Sequence, residues 1–232
     1  MKLLLVASDL MEFRGLLRRV AWVRSRSLPA DRWSRAGAYG NHQLFLTANG
    51  AGAHRAAAAV DAALVSFHPD AILSIGFCGA LDPSLDIADI VVGTSIFAGG
   101  RTFAGQTPAA AAPHHLGPIC SIDHAAQTAE EKCRLHSTGA IAVEMEAAGV
   151  AGRAQALGLP FFCIKTVTDL AGENMANDFN AALRSDGHFD TIRILASSLR
   201  RPWVRLPELF RLRVRCARAA RSLGDFIAGC RF

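Results

Sequence analysis

The sequence predicts an α/β protein, and three observations carry that prediction. Short apolar runs of strand length alternate with longer segments whose apolar residues recur at helical spacing, the mark of a sheet covered by helices. Half of the 232 residues are apolar (51%) and only 19% are charged, enough for a packed core and too little charge for a disordered chain. The joint Gly158-Leu159-Pro160 stops one helical run and opens a strand. The length suits one sizeable domain rather than two.

Strands are expected at Leu3–Ala7, Gln43–Ala48, Ala71–Ile75, Ile90–Ser95, Ile141–Val143 and Phe161–Val167, each a run of aliphatic and aromatic residues bounded by polar or glycine-rich turns. Helices are expected at Phe13–Val23, His54–Phe67, Ala125–Leu135, Met145–Leu157 and Asn177–Leu199. The stretch Ala98–Pro118, rich in Gly, Ala and Pro, reads as a long loop. After Leu199 the chain breaks at Pro202 and Pro207, then resumes as an arginine-rich helix from Glu208 to Ile227. The apolar start, Met1–Ala7, is interrupted by Ser8-Asp9 and Glu12. It is too short for a secretory segment and reads as a first buried strand, so a cytoplasmic protein is expected.

Six cysteines show no C-x-x-C spacing and no zinc-like pairing with histidine, so neither a disulfide framework nor a metal site is expected, and no cofactor motif appears. The net charge of +5 is uneven. Ten arginines face only Glu208 and Asp225 between Arg193 and Arg231, leaving the rest of the chain at −3. The basic character belongs to the tail.

Four places where chemistry could sit lie at expected strand ends, where ligands bind in open α/β sheets. Asn49-Gly50-Ala51-Gly52 leads into a helix and could turn backbone N–H groups toward an anion or a sugar, or be a tight turn only. Ser74–Pro83 passes from strand through a glycine-rich turn containing Phe77 and Gly79 to an Asp-Pro loop, which an ordinary strand exit would also explain. In Val143-Glu144-Met145-Glu146-Ala147 two carboxylates emerge from an apolar strand, where an unpaired acid is costly and a specific partner is expected. Helix-start acids, favoured by the macrodipole, account for one glutamate more readily than for two. Asp169 closes the last long strand, a position for a carboxyl with a raised pKa that could act as an acid, or for a helix cap.

Together V-E-M-E-A-A and, some twenty residues on, an apolar strand ending in T-D resemble the purine nucleoside phosphorylase/nucleosidase family, nearest the 5′-methylthioadenosine/S-adenosylhomocysteine nucleosidases. The start of the chain, G-F-C-G-A-L-D-P-S-L-D-I-A-D-I-V-V and T-D-L-A support it over roughly residues 1–195. The resemblance implies a three-layer α/β/α sandwich with a central mixed sheet in residues 1–199, followed by a basic amphipathic helical extension over 200–232. It implies that Glu146 accepts hydrogen bonds from the ribose 2′- and 3′-hydroxyls, that Met145 packs on the ribose, and that Asp169 donates to purine N7. Glu12 falls where nucleosidases keep the acid that orients attacking water; a surface glutamate at a helix start is the plain alternative. Phe77, Gly79, Asp123 and His124 complete the expected substrate contacts, with neither cofactor nor metal.

The chain departs from the family pattern in three places. Ser74 and Phe77 stand where phosphorylases hold phosphate with serine and arginine, which favours water as nucleophile; Arg55 is the candidate substitute cation. A stacking Phe is missing after Asp123, where His124 stands, and Lys165 occupies a usual arginine position. The tail, with D-H-A-A-Q-T-A-E-E-K, is similar to the hopanoid-associated branch, whose substrate is a lipid-linked adenosine. A helix capping the core is the favoured reading of the tail, contact with an anionic membrane through its interleaved Leu, Trp, Phe and Arg comes second, given a purpose by a lipid-linked substrate, and nucleic-acid binding comes last. Related proteins form homodimers or larger assemblies. A phosphorylase and a non-catalytic nucleoside-binding protein on the same fold remain the alternatives.

Overall fold

The computed structural model describes residues 1–23 and 33–232. In chain order the elements are β1 (Lys2–Ala7), a 3₁₀ turn (Leu10–Phe13), α1 (Arg14–Leu17), β2 (Ala21–Val23), β3 (Trp33–Tyr39), β4 (His42–Ala48), α2 (Ala53–Leu64) and β5 (Ala71–Ala80). There follow β6 (Ile90–Ala98), β7 (Arg101–Ala104), β8 (His115–Ser121), α3 (Ala129–His136), β9 (Ala142–Glu144) and α4 (Ala147–Leu157). The last are β10 (Phe161–Asp169), α5 (Phe179–Ala182), α6 (Thr191–Ser198) and α7 (Pro202–Gly229).

The sheet is mixed, as expected. β1 lies parallel between β4 and β5, and β5 pairs parallel with β10, while β3–β4, β10–β6 and β5–β9 are antiparallel. Because β10 bonds both β5 and β6, and β6 returns through β8 and β9 to β5, five strands close into a ring. The continuous apolar runs follow from burial on both faces. Leu4 and Val6 pack with Ala56, Val60, Val150 and Ala154 of α2 and α4. Their neighbours Leu3 and Leu5 pack with Leu16, Leu223, Phe226 and Ile227 of α1 and α7. The two helical layers follow from strand alternation alone.

Several expected elements are corrected. The helix over Phe13–Val23 is a 3₁₀ turn and one turn of α1, and Ala21–Val23 is a strand, because pairing with β3 outweighs local helix preference. The loop over Ala98–Pro118 contains β7, which turns back on β6 as a tight hairpin, and most of β8, whose partners along β6 lie over twenty residues away. The helix over Asn177–Leu199 is two helices, capped by the side chains of Asp178 and Asp190, with a loop between them. Pro202 and Pro207 do not break the tail: Pro202 opens α7 and Pro207 lies within its first two turns. The second half of α7 is built into the core through Cys216, Ala220, Leu223, Phe226 and Ile227.

Candidate active site

The strand ends, the 3₁₀ turn and the start of α4 converge on one cavity of about 200 Å³, whose walls include Glu12, Phe77, Gly79, His124, Met145, Glu146 and Asp169. Residues from opposite ends of the chain meet because β1, β5 and β10 run parallel and end on the same side.

Glu12 does two jobs. Its Oε2 accepts from the N–H groups of Ser8 (2.8 Å) and Asp9 (2.9 Å) and from Ser8 Oγ (2.9 Å), and it completes a capping box with Asp9. Its Oε1 accepts from Phe77 N–H at 2.8 Å. Glu12 thus caps the turn and lines the cavity, and it is buried rather than the surface glutamate of the plain alternative. Gly76 allows it, because a Cβ there would collide with Oε1 and the backbone sits at φ +139°. Burial raises the Glu12 carboxyl above its ordinary range, against the opposing pull of Lys165 and the hydrogen bonds.

The paired glutamates divide the work. Glu144 Oε2 accepts from the N–H groups of Glu146 (2.9 Å) and Ala147 (2.8 Å) at the start of α4 and pairs with Lys165 Nζ at 2.8 Å. Glu146 instead accepts from Gly52 N–H at 3.1 Å and stands 3.7 Å from the same lysine. The anion met by the Gly50–Gly52 turn is thus a side chain of the protein itself. Burial pushes Glu146 up to about 7, whereas Glu144 is pushed up by burial but pulled lower still by Lys165. Burial would depress Lys165; the carboxylates of Glu144 and Glu146 outweigh it and hold the ammonium above its usual range.

Asp169 sits where the register of β10 against β5 shifts after Val167, and a Cβ on Gly79 would stand 2.8 Å from its Oδ2. Oδ1 accepts from Thr168 Oγ1 at 3.1 Å, and Oδ2 accepts from the fully buried Lys132 at 2.5 Å. Burial raises the Asp169 pKa, and Lys132 opposes it.

The remaining expected residues separate. Phe77, Gly79, Met145 and His124 line the cavity, but Asp123 does not: its side chain is 97% exposed and holds His124 Nδ1 at 2.7 Å. His124 Nε2 meets Glu131 at 2.6 Å, so both ring nitrogens are engaged and the ring face is what remains for a ligand; Asp123 and Glu131 raise its pKa. Ser74 is buried within β5, away from the cavity. Arg55 binds the Ser185 carbonyl and borders a neighbouring depression. Among the described residues that line the catalytic-sized cavity, none is Arg or Lys.

Sequence reasoning missed Lys132, Met175 and Phe189. Lys132 could have been suspected as a lysine at a buried position of a polar helix. Phe189 carried no local signal, because it reaches the wall only through the loop at Ser185–Gly187, which bonds back to Ala51. Around Phe189 the site opens into a second chamber of about 340 Å³, lined further by Met11, Phe179, Ile194, Leu212 and Cys216.

The model of the Phosphorylase superfamily matches residues 29–115 and 101–188. The chain belongs to the nucleoside phosphorylase/nucleosidase family. A 5′-methylthioadenosine/S-adenosylhomocysteine nucleosidase of Staphylococcus saprophyticus is 31% identical over 170 residues, 61% of this chain and 75% of the relative. One of Chromohalobacter salexigens is 27% identical over 169 residues, 60% and 72% of the two chains. In fold, this chain is similar to futalosine hydrolase of Helicobacter pylori (TM-score 0.72, 17% identity, 98% of this chain and 95% of that one). It is equally similar to the 5′-methylthioadenosine/S-adenosylhomocysteine nucleosidase of Neisseria meningitidis in complex with methylthio-immucillin-A (TM-score 0.71, 20% identity, 98% of both).

Proposed function

We propose that the protein hydrolyses the N-glycosidic bond of a 5′-substituted adenosine, with a lipid-linked nucleoside of the adenosylhopane type as its substrate. The observation that carries the reading is the meeting of three buried carboxyls, Glu12, Glu146 and Asp169, on one cavity. In this reading Glu146 takes both ribose hydroxyls as a charge-assisted pair and fixes the sugar, with Met145 against it. Asp169 protonates N7 as the C1′–N9 bond breaks, help worth ~10²–10⁴ in rate. Glu12 orients the water that attacks the oxocarbenium-like carbon, and the face of His124, with Phe77, borders the base. The lack of a lining Arg or Lys among the described residues favours water over phosphate, whose dianion would be held without a cation.

The apolar chamber beyond Phe189 favours an apolar 5′-substituent over a charged one. α6 and the first half of α7 expose Ile192, Leu199, Trp203, Phe210 and Val214 among arginines, a surface suited to an anionic membrane. No helix among the described residues is long and apolar enough to cross one. A second copy closing the pocket, as a homodimer, belongs to the same proposal and is tested by light scattering.

The deciding experiment is release of free base from adenosine, methylthioadenosine, inosine and adenosylhopane, with and without phosphate. Hydrolysis predicts phosphate-independent adenine release; a requirement for phosphate would make the protein a phosphorylase, and no release from any of them would favour a binding protein. Flotation with anionic liposomes tests the tail: binding should fall when Trp203 and Phe210 become Ala.

A further inference from the structure

Lys132 is the buried charged group that the proposed reaction leaves unused. It projects from α3, is fully buried, and lines no wall of the cavity; it reaches Asp169 from behind. Its Nζ donates to Asp169 Oδ2 at 2.5 Å and to the Leu170 carbonyl at 2.8 Å. Burying an ammonium costs several kcal/mol, and an apolar side chain of similar length would fill the space without that cost. The other groups facing the pair do not compensate it. Glu173, on the loop after β10, is spent on Arg215 of α7 through bonds of 2.7 and 2.8 Å, and Arg215 holds it down to about 2. The thiols of Cys78 on β5 and Cys216 on α7 are pushed up by burial and stay uncharged. Among the described residues, Asp169 is the one carboxylate paired with Lys132.

We propose that Lys132 is a positioning residue that acts through Asp169, aiming its carboxyl at the cavity and holding in reserve the proton that Asp169 hands to the departing base. The inference rests on Asp169 being the acid. A proton passes from Lys132 Nζ to Asp169 Oδ2, and the carboxyl passes one to purine N7 as the C1′–N9 bond breaks and its electron pair leaves with the base. Water oxygen bonds to C1′ and yields a proton to Glu12, solvent returns that proton to Asp169 at the cavity wall, and Asp169 passes it back to Lys132. The sum is nucleoside plus water giving free sugar and neutral base.

Two substitutions separate this from a structural role. In Lys132→Met the acid must rely on its own proton, so the alkaline limb of the kcat/KM profile for adenine release moves to lower pH and the alkaline rate falls ~10-fold or more. In Lys132→Arg the cation stays but cannot give up its proton, so KM holds while kcat falls at every pH. In an Asp169→Asn background neither change should cost anything further. A fully active Lys132→Arg, an alkaline limb unmoved or moved upward in Lys132→Met, or an equal loss in the Asp169→Asn background overturns the role of the lysine. Undiminished release by Asp169→Asn alone would instead overturn the acid assignment. Thermal melting of each variant shows that the rates refer to folded protein.

Discussion

Two buried lysines flank the cavity, and they are placed differently. Lys165, in the middle of β10, sits among Glu144, Glu146 and the Ile75 carbonyl, between the sheet and the start of α4. Lys132, on a short surface-side helix, meets a single carboxylate that faces the cavity. The first is locked into the sheet and orders two acids at once. The second is attached to one acid, which changes its protonation in the proposed reaction. Similar ion pairs can therefore serve scaffold and chemistry, and the distinction lies in whether the carboxylate has another partner to serve.

The comparison is tested most strongly by Asp169→Asn, which should lower base release by ~10²–10⁴ in an adenine assay; calorimetry should also show a lower melting temperature, because the buried Lys132 loses its carboxylate. Next in size, Lys165→Met strands Glu144 in the core and should cost ~3–5 kcal/mol in denaturant unfolding. Lys132→Met should cost less, since Asp169 borders a cavity and can take up a proton. Equal losses would break the comparison.

Glu146 supplies a smaller effect with a defined sign. Its carboxyl is raised from the ordinary glutamate value of 4.5 to about 7 in the folded chain, so between these values the folded state holds a proton that the unfolded state has lost. Its contribution to stability is complete below the lower value and disappears as pH rises through about 7. Ribose binding needs the ionised form, so KM should fall over the same rise. Glu146→Gln should flatten both trends in KM and denaturation profiles. The smallest effect is expected at Asp123: replaced by Ala, this exposed partner of His124 should change stability by less than ~1 kcal/mol, while Glu131→Ala, from the inner side, should raise KM more.

Glu144, Glu146 and Asp169 drew notice in the sequence because each lies at the end of an apolar run, where a carboxylate is conspicuous, whereas Glu12 was singled out only by its place in the family resemblance. Glu144 and Glu146 could not be told apart, since their division depends on which oxygen meets the start of α4 and which meets Gly52. Asp123 was misplaced because adjacency to His124 in sequence says nothing about which way its side chain turns. β3, β7 and β8 escaped notice because their strand character comes from partners rather than from their own alternation.

Apolar periodicity alone determined that β1, β4, β5 and β10 are buried strands of a sheet covered by helices, because a run apolar on both faces needs cover from packed elements. Only the tertiary structure decided that the sheet closes into a ring, that half of α7 is core and half surface, and that Lys132 stands behind Asp169. Those outcomes depend on contacts between residues far apart in the chain, for which local pattern carries no energy term.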